Sequence, residues 1–144
     1  MSSQIIASHR ENAEIYNGDS KICKLKSNEL LEKIRMPKGL LPLEELEEVG
    51  YNETTGFVWM RQKNSKEHKF KSLGKLAWYD KVITAFVEDQ CLKKITGVKS
   101  KEMLIWISIN EIKIDDLDQK KIAFSALTGL TRKFPVSAFE EEEE

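Results

Sequence analysis

Long apolar runs are missing from this sequence. The longest, residues 103–107, is strand-sized and far short of the roughly 20 residues that a membrane-spanning helix needs. No transmembrane segment is expected. Cysteine is scarce, with Cys23 and Cys91 alone, so no disulfide framework holds the fold together. The N-terminus lacks the pattern of a secretion signal, which reads as a cytoplasmic chain whose two thiols stay reduced and buried. Also missing are a glycine-rich phosphate loop, cysteine or histidine pairs at zinc spacing, an acidic calcium loop and a Gly-x-Ser-x-Gly elbow. Neither a metal nor a cofactor is expected.

What is present suits a globular domain. A chain of 144 residues is long enough to bury about two-thirds of its unfolded surface, and 40% hydrophobic with 33% charged residues is an ordinary soluble composition. The formal charge of −1 conceals a division, because removing the five glutamates at 140–144 leaves +4. A terminal block of like charge repels itself and has nothing to bury, so 140–144 reads as an acidic, disordered tail. Asn52-Glu53-Thr54 matches a glycosylation acceptor, but in a chain that is not secreted it is only a turn.

Residues 1–36 read as a helical arm. Ser3 can cap a first helix in which Ile5, His9, Asn12 or Ala13, and Tyr16 recur at helical spacing until Asn17-Gly18 stops it. Asp19 or Ser20 caps a second, with Cys23, Ser27, Leu30, Leu31 and Ile34 on one face and Lys24, Lys26, Glu29, Glu32 and Lys33 on the other. Pro37 ends it. Neither helix is long or apolar enough to stand alone, so both are expected to pack on the rest of the chain. The segment 36–43 carries two prolines and Gly39, and reads as a rigid bend between the helical arm and a β-domain.

From 37 to 139 the period shifts towards two. Strands are expected at 46–51 and 57–62 around an Asn/Thr/Gly loop, then at 67–72, 76–79, 82–87, 91–96, 103–114, 120–125 and 130–139. Turns fall at 63–66, Asp80-Lys81, 115–118 and 128–129. Gly74 marks a bulge or bend, Gly97 closes a short strand, and Pro135 suits an edge or the end of pairing. The segment 82–87 is apolar at both parities, which means a strand buried on two sides, with the arm as available cover. Within 103–114 the apolar parity flips near Asn110-Glu111, requiring a bulge or a passage between layers. The fold class is mainly β: an antiparallel barrel or sandwich of about seven to eight strands with one or two N-terminal helices packed on it.

Candidate chemistry is thin. Ser72-Leu73-Gly74-Lys75 matches a Ser-x-x-Lys acyl-enzyme pattern but lies between strands, where that motif does not belong. His68 and Ser72, with Lys75, are the weak catalytic candidates; as a lone histidine beside Phe70, His68 reads first as a packing residue. His9 reads likewise. Lys69, Lys71, Lys75, Lys93, Lys94, Lys99 and Lys101 can make a basic patch. A nucleic-acid module needs clear net positive charge with aromatics exposed among the basic residues, and no nucleic acid is expected. Trp59, Trp78 and Trp106 lie in apolar runs and read as core. With Phe86 they are also the candidates to line a site for lipid or another amphiphile.

Met36-Pro37-Lys38-Gly39-Leu40-Leu41-Pro42-Leu43, Glu47-Glu48-Val49-Gly50-Tyr51, Thr55-Gly56-Phe57-Val58-Trp59, His68-Lys69-Phe70, Gly74-Lys75-Leu76, the 92–102 segment and Phe134-Pro135-Val136-Ser137-Ala138-Phe139 together resemble the plant domain-of-unknown-function family numbered 538. Ala13-Glu14-Ile15-Tyr16 and Gly18-Asp19 resemble its smaller-with-variable-branches branch. The resemblance implies a single β-barrel-like domain, a likeness to lipid-binding bactericidal permeability-increasing proteins, a suggested pigment-ester hydrolase role, and links to trichome growth and stress responses. Three functions are weighed on these grounds: a non-enzymatic module for lipid or another amphiphile, a protein-interaction adaptor using the helical arm or acidic tail, and a weak ester hydrolase.

Overall fold

The computed structural model describes residues 2–140; of the acidic block expected to be disordered, 141–144 lie outside the described residues. The chain opens with helix α1 (Ser2–His9), strand β1 (Glu14–Asn17) and helix α2 (Ser20–Lys33). The helix expected to run to Tyr16 therefore stops early. Asn12 takes a φ of 66°, a conformation asparagine tolerates and a helix does not, and Glu14–Asn17 pairs antiparallel with the first strand of the main sheet. For α2 the Asp19 side chain is the cap, accepting from the amides of Lys21 at 2.9 Å and Ile22 at 3.3 Å.

After a 3₁₀ turn at Lys38–Leu40 come β2 (Leu46–Asn52), β3 (Phe57–Gln62), β4 (Lys66–Phe70), β5 (Lys75–Glu88), β6 (Cys91–Glu102), β7 (Ile105–Ser108), β8 (Glu111–Ile114), β9 (Lys121–Ser125) and β10 (Thr131–Pro135), then a 3₁₀ turn at Val136–Phe139. The described residues thus form one antiparallel sheet of ten strands, more than the seven or eight expected, ordered β1-β2-β3-β5-β6-β8-β9-β10 with β4 on β5 and β7 on β6. The sheet does not close, since β1 and β10 each pair on one side only. Side chains tie the β9–β10 end back to the middle of the sheet: the Phe139 ring lies 4.8 Å from Phe70 and 5.1 Å from Phe124, while Glu102 takes Lys75 and Arg132 together.

Two long strands, β5 and β6, replace the three short ones expected at 76–79, 82–87 and 91–96. Asp80-Lys81 does not turn the chain but sits inside β5, at a break in register between Tyr79 and Thr84. The carbonyls left over there are met from a neighbouring strand: the buried Gln62 amide donates to Asp80 O at 2.9 Å and Tyr79 O at 3.3 Å. Gly97 does not end β6 either. It has a φ of +86°, and a Cβ there would overlap the Val82 carbonyl, so it lets β6 follow the bend of β5. Gly74 belongs to the 71–74 turn rather than to a bulge. The parity flip at Asn110-Glu111 is real: β7 pairs with the second half of β6 and β8 with the first half.

The sheet has two apolar faces. On the inner face Val58, Met60, Ile83, Ala85, Leu92, Ile95 and Ile112 meet Leu30 and Leu31 of α2 and Leu41 of the bend. The buried Tyr79 hydroxyl donates to Leu40 O at 3.1 Å, and burial pushes its pKa far up. Gly39 serves by close approach rather than by special φ, because a Cβ would overlap the backbone oxygens of Phe139 and Glu140. On the outer face Gly50, Phe57, Trp59, Thr84 and Phe86 lie under the end of α1, where the His9 ring stacks on Phe57 at 4.4 Å and meets Phe86 at 5.7 Å. The arm therefore straddles the β2 edge, α1 on one face and α2 on the other, with β1 extending the sheet between them.

Gly50 is where this packing is tightest. A Cβ would run into the Trp59 indole, which is fully buried and has no room to retreat. Gly50→Ala is expected to destabilise the fold by about 1–3 kcal/mol, the range for overpacking a core, read as a lower urea midpoint. An unchanged midpoint would show that the Trp59 pocket is loose.

Candidate functional site

The β4–β5 turn at 71–74 and the β6–β7 turn at 103–104 lie at the same end of the sheet, joined by Lys75, whose ammonium bonds the Lys101 carbonyl at 3.3 Å and pairs with the Glu102 carboxylate. Pairing fixes what each face shows there. Ala77 and Tyr79 point inward and are buried, so Trp78 points outward beside Lys99, its cross-strand partner, with Lys101 next along β6 facing Trp106 of β7. Each lysine covers an indole: Lys99 Nζ lies 5.2 Å from the Trp78 ring and Lys101 Nζ 5.6 Å from the Trp106 ring. Lys69 and Glu67 flank this face from β4, opposite Leu76 and Trp78.

The β6–β7 turn holds the most exposed apolar segment of the described chain. Met103 is 94% exposed, Leu104 89% and Ile105 66%. Met103 is at a φ of 58°, at the first position of a two-residue hairpin loop, where glycine is the inexpensive choice. A side chain therefore stands, at some backbone cost, where the fold itself has no use for one.

The four aromatic candidates share the outer face but fall into two groups. Trp59 and Phe86 lie under the arm; Trp59 donates from Nε1 to Glu48 at 2.8 Å and has the Arg10 guanidinium 5.6 Å from its ring. Trp78 and Trp106 lie outside the arm's reach and are half-buried, not core as the sequence suggested. Neither interior gap among the described residues is a chamber for them. The two amount to about 10 and 20 Å³, room for no more than a water, against the several hundred Å³ of an amphiphile pocket. The larger hollows are open to solvent: one of about 130 Å³ between α2 and β1–β2, where Tyr16, Leu30, Val49 and Tyr51 lie among charged side chains, and one of about 540 Å³ beside Asn17, Glu47 and Lys63.

His68 and Lys75 share a face of the β4–β5 pair, but each of the acyl-enzyme candidates is otherwise engaged or lies in a turn. His68 meets the Phe70 ring edge-on at 4.7 Å, Ser72 stands exposed in the 71–74 turn, and Lys75 is held by Glu102 and Lys101. Among the described residues there is no cluster of His, Cys, Asp and Glu able to hold a metal, and both cysteines are buried free thiols.

Sequence reasoning missed Met103 and Leu104 as a loop, since neither is a turn residue and both continue an apolar alternation. It also missed the buried carboxylate beneath α1. Burial pushes the Glu48 pKa up, but bonds from Arg10 and Trp59 and the charges of Arg10 and Arg61 outweigh it and leave it below the usual carboxylate value. Such a group stabilises the fold above its unfolded pKa, and that contribution disappears as pH falls through the lower folded value. Glu48→Gln is expected to flatten the loss of thermal stability on acidification below about pH 4.5, the ordinary carboxylate range. Superposable melting-temperature profiles for variant and parent would contradict this.

No curated protein and no solved structure matches the chain. One family profile does, over residues 27–140, from the lower half of α2 to the end of the last 3₁₀ turn. This chain belongs to the family described as protein of unknown function, DUF538.

Proposed function

We propose that this chain is a non-enzymatic binding module for lipid or another amphiphile, which it engages at its outer surface rather than in an internal chamber. The observation that carries the reading is the contrast between a filled interior and a bare apolar turn, Met103-Leu104-Ile105, beside a face of lysines and half-buried tryptophans. A chain that buries its core has no structural reason of its own to hold such a turn in water. No helix among the described residues is long and apolar enough to cross a membrane, so contact would be peripheral. The growth and stress association implied by the branch resemblance stays attached to this reading.

The adaptor alternative finds less support, because α2 spends most of its apolar face within the chain; Ile22 and Leu25 are its exposed exceptions. The hydrolase alternative finds less still, since Lys75 is held by Glu102 and the Lys101 carbonyl and Ser72 lies in an exposed turn.

Flotation on vesicles made from a total polar lipid extract tests the proposal, alongside native mass spectrometry of the gently purified chain. The chain is expected to float with the vesicles and to fly without a co-purified amphiphile. Protein left at the bottom of the gradient with every vesicle preparation would sink the idea.

A further inference from the structure

The turn, the tryptophans and the lysines are not scattered but form one end of the molecule, and their arrangement says which lipid surface they fit. We infer that this end is a docking site for an anionic membrane surface: Met103 and Leu104 enter the acyl boundary, Trp78 and Trp106 lie at headgroup depth, and Lys69, Lys99 and Lys101 meet the lipid phosphates and carboxylates. This rests on the lipid reading above and goes further by fixing the surface and the charge of the lipid.

Three observations carry it. The outer half-face beyond α1 holds Lys69, Lys99 and Lys101 against Glu67 on β4 and Asp80, two residues along β5 from Trp78, a local excess of positive charge that an anionic surface complements and a neutral one does not. The other nearby carboxylate, Glu102, is spent internally on Lys75 and Arg132. Each tryptophan lies level with a lysine behind the apolar turn, Trp106 with Lys101 next to it and Trp78 with Lys99 one step beyond, so indoles and ammonium groups share one zone, as they do at the headgroup level of a membrane interface, with the aliphatic side chains at the tip. Finally, Met103 occupies a strained loop position while 94% exposed, and insertion gives that side chain the apolar surroundings the fold denies it.

A nucleic acid would also meet lysines interleaved with indoles. It would gain nothing from three exposed aliphatic side chains at the tip, and phosphate contacts would have to form around them. The membrane accounts for the turn as well as the face. Two other leucines of turns are almost fully exposed, Leu127 between β9 and β10 and Leu117 between β8 and β9; Leu117 lies at the opposite end of the sheet, where the Ile114 amide bonds the Gln90 carbonyl of the β5–β6 turn, and serves as the control.

The test uses the whole chain and vesicles of phosphatidylcholine alone or with about 30% phosphatidylserine, read by flotation at low and high salt. The parent is expected to partition at least tenfold more strongly onto the anionic vesicles, with salt weakening it. Met103→Ser/Leu104→Ser is expected to lose about tenfold or more on anionic vesicles while melting as the parent does, since these side chains touch no core. Lys69→Gln/Lys99→Gln/Lys101→Gln is expected to lose about fivefold per lysine on anionic vesicles and little on neutral ones. Leu117→Ser should bind as the parent does. Equal binding to both compositions, or a turn variant that binds like the parent, overturns the docking site and leaves the broader lipid reading standing. Failure of the parent to bind either composition overturns both, and retention on a single-stranded oligonucleotide without vesicle binding reassigns the face to nucleic acid.

Discussion

A sheet that is apolar on both faces must be covered on both, and the rest of this molecule is shaped by that need. Strand β5 shows it most clearly: Ile83, Ala85 and Val87 face inward while Thr84 and Phe86 face outward beside Phe57 and Trp59. Covering such a strand on one side only would leave several large side chains in water, at about 25 cal/mol for each Å² of apolar surface. The N-terminal arm solves this by crossing the sheet edge. β1 pairs along β2, α2 drops onto the inner face, and α1 turns back over the outer one.

The outer contact is small and polar at its centre, unlike the inner one. Glu48 gathers Trp59, Arg10 and Arg61 around one carboxylate, and the Asn52 side chain donates to the carbonyls of His9 and Glu11. These bonds orient α1 so that the His9 ring lies flat on Phe57. Because α1 has only eight residues, it reaches no farther than the β2-β3-β5 end of the face. The β4-β5-β6-β7 end is left to Lys99 and Lys101, whose stems cover tryptophan rings without sealing them from a membrane or another partner. A short cover on a large face thus leaves one half available, and the candidate site lies in that half.

Much of this was legible in the sequence. The β2–β3 hairpin announced itself through alternation around an Asn/Thr/Gly loop, α2 through its stripe and cap, and the passage from β7 to β8 through the flipped parity at Asn110. What was hidden depended on partners distant in the chain. Asp80-Lys81 looks like a turn until the Gln62 amide supplies the bonds that keep it in a strand, and Ile15-Tyr16 looks helical until β2 offers an edge. At the site, parity put Trp78 on one side of its strand, but nothing local said that side would lack a cover. Met103-Leu104 read as strand because the turn it makes uses neither glycine nor asparagine.

The measurement that tests this account most directly is acrylamide quenching of variants that each keep one tryptophan, compared between the full chain and a chain lacking residues 1–11. Trp59 is expected to be shielded in the full chain and to become quenchable when α1 is removed. Trp78 and Trp106 are expected to be accessible in both. A Trp59 that stays shielded without α1, or a Trp78 as protected as Trp59 in the full chain, would contradict the division of the outer face into a covered and an open half.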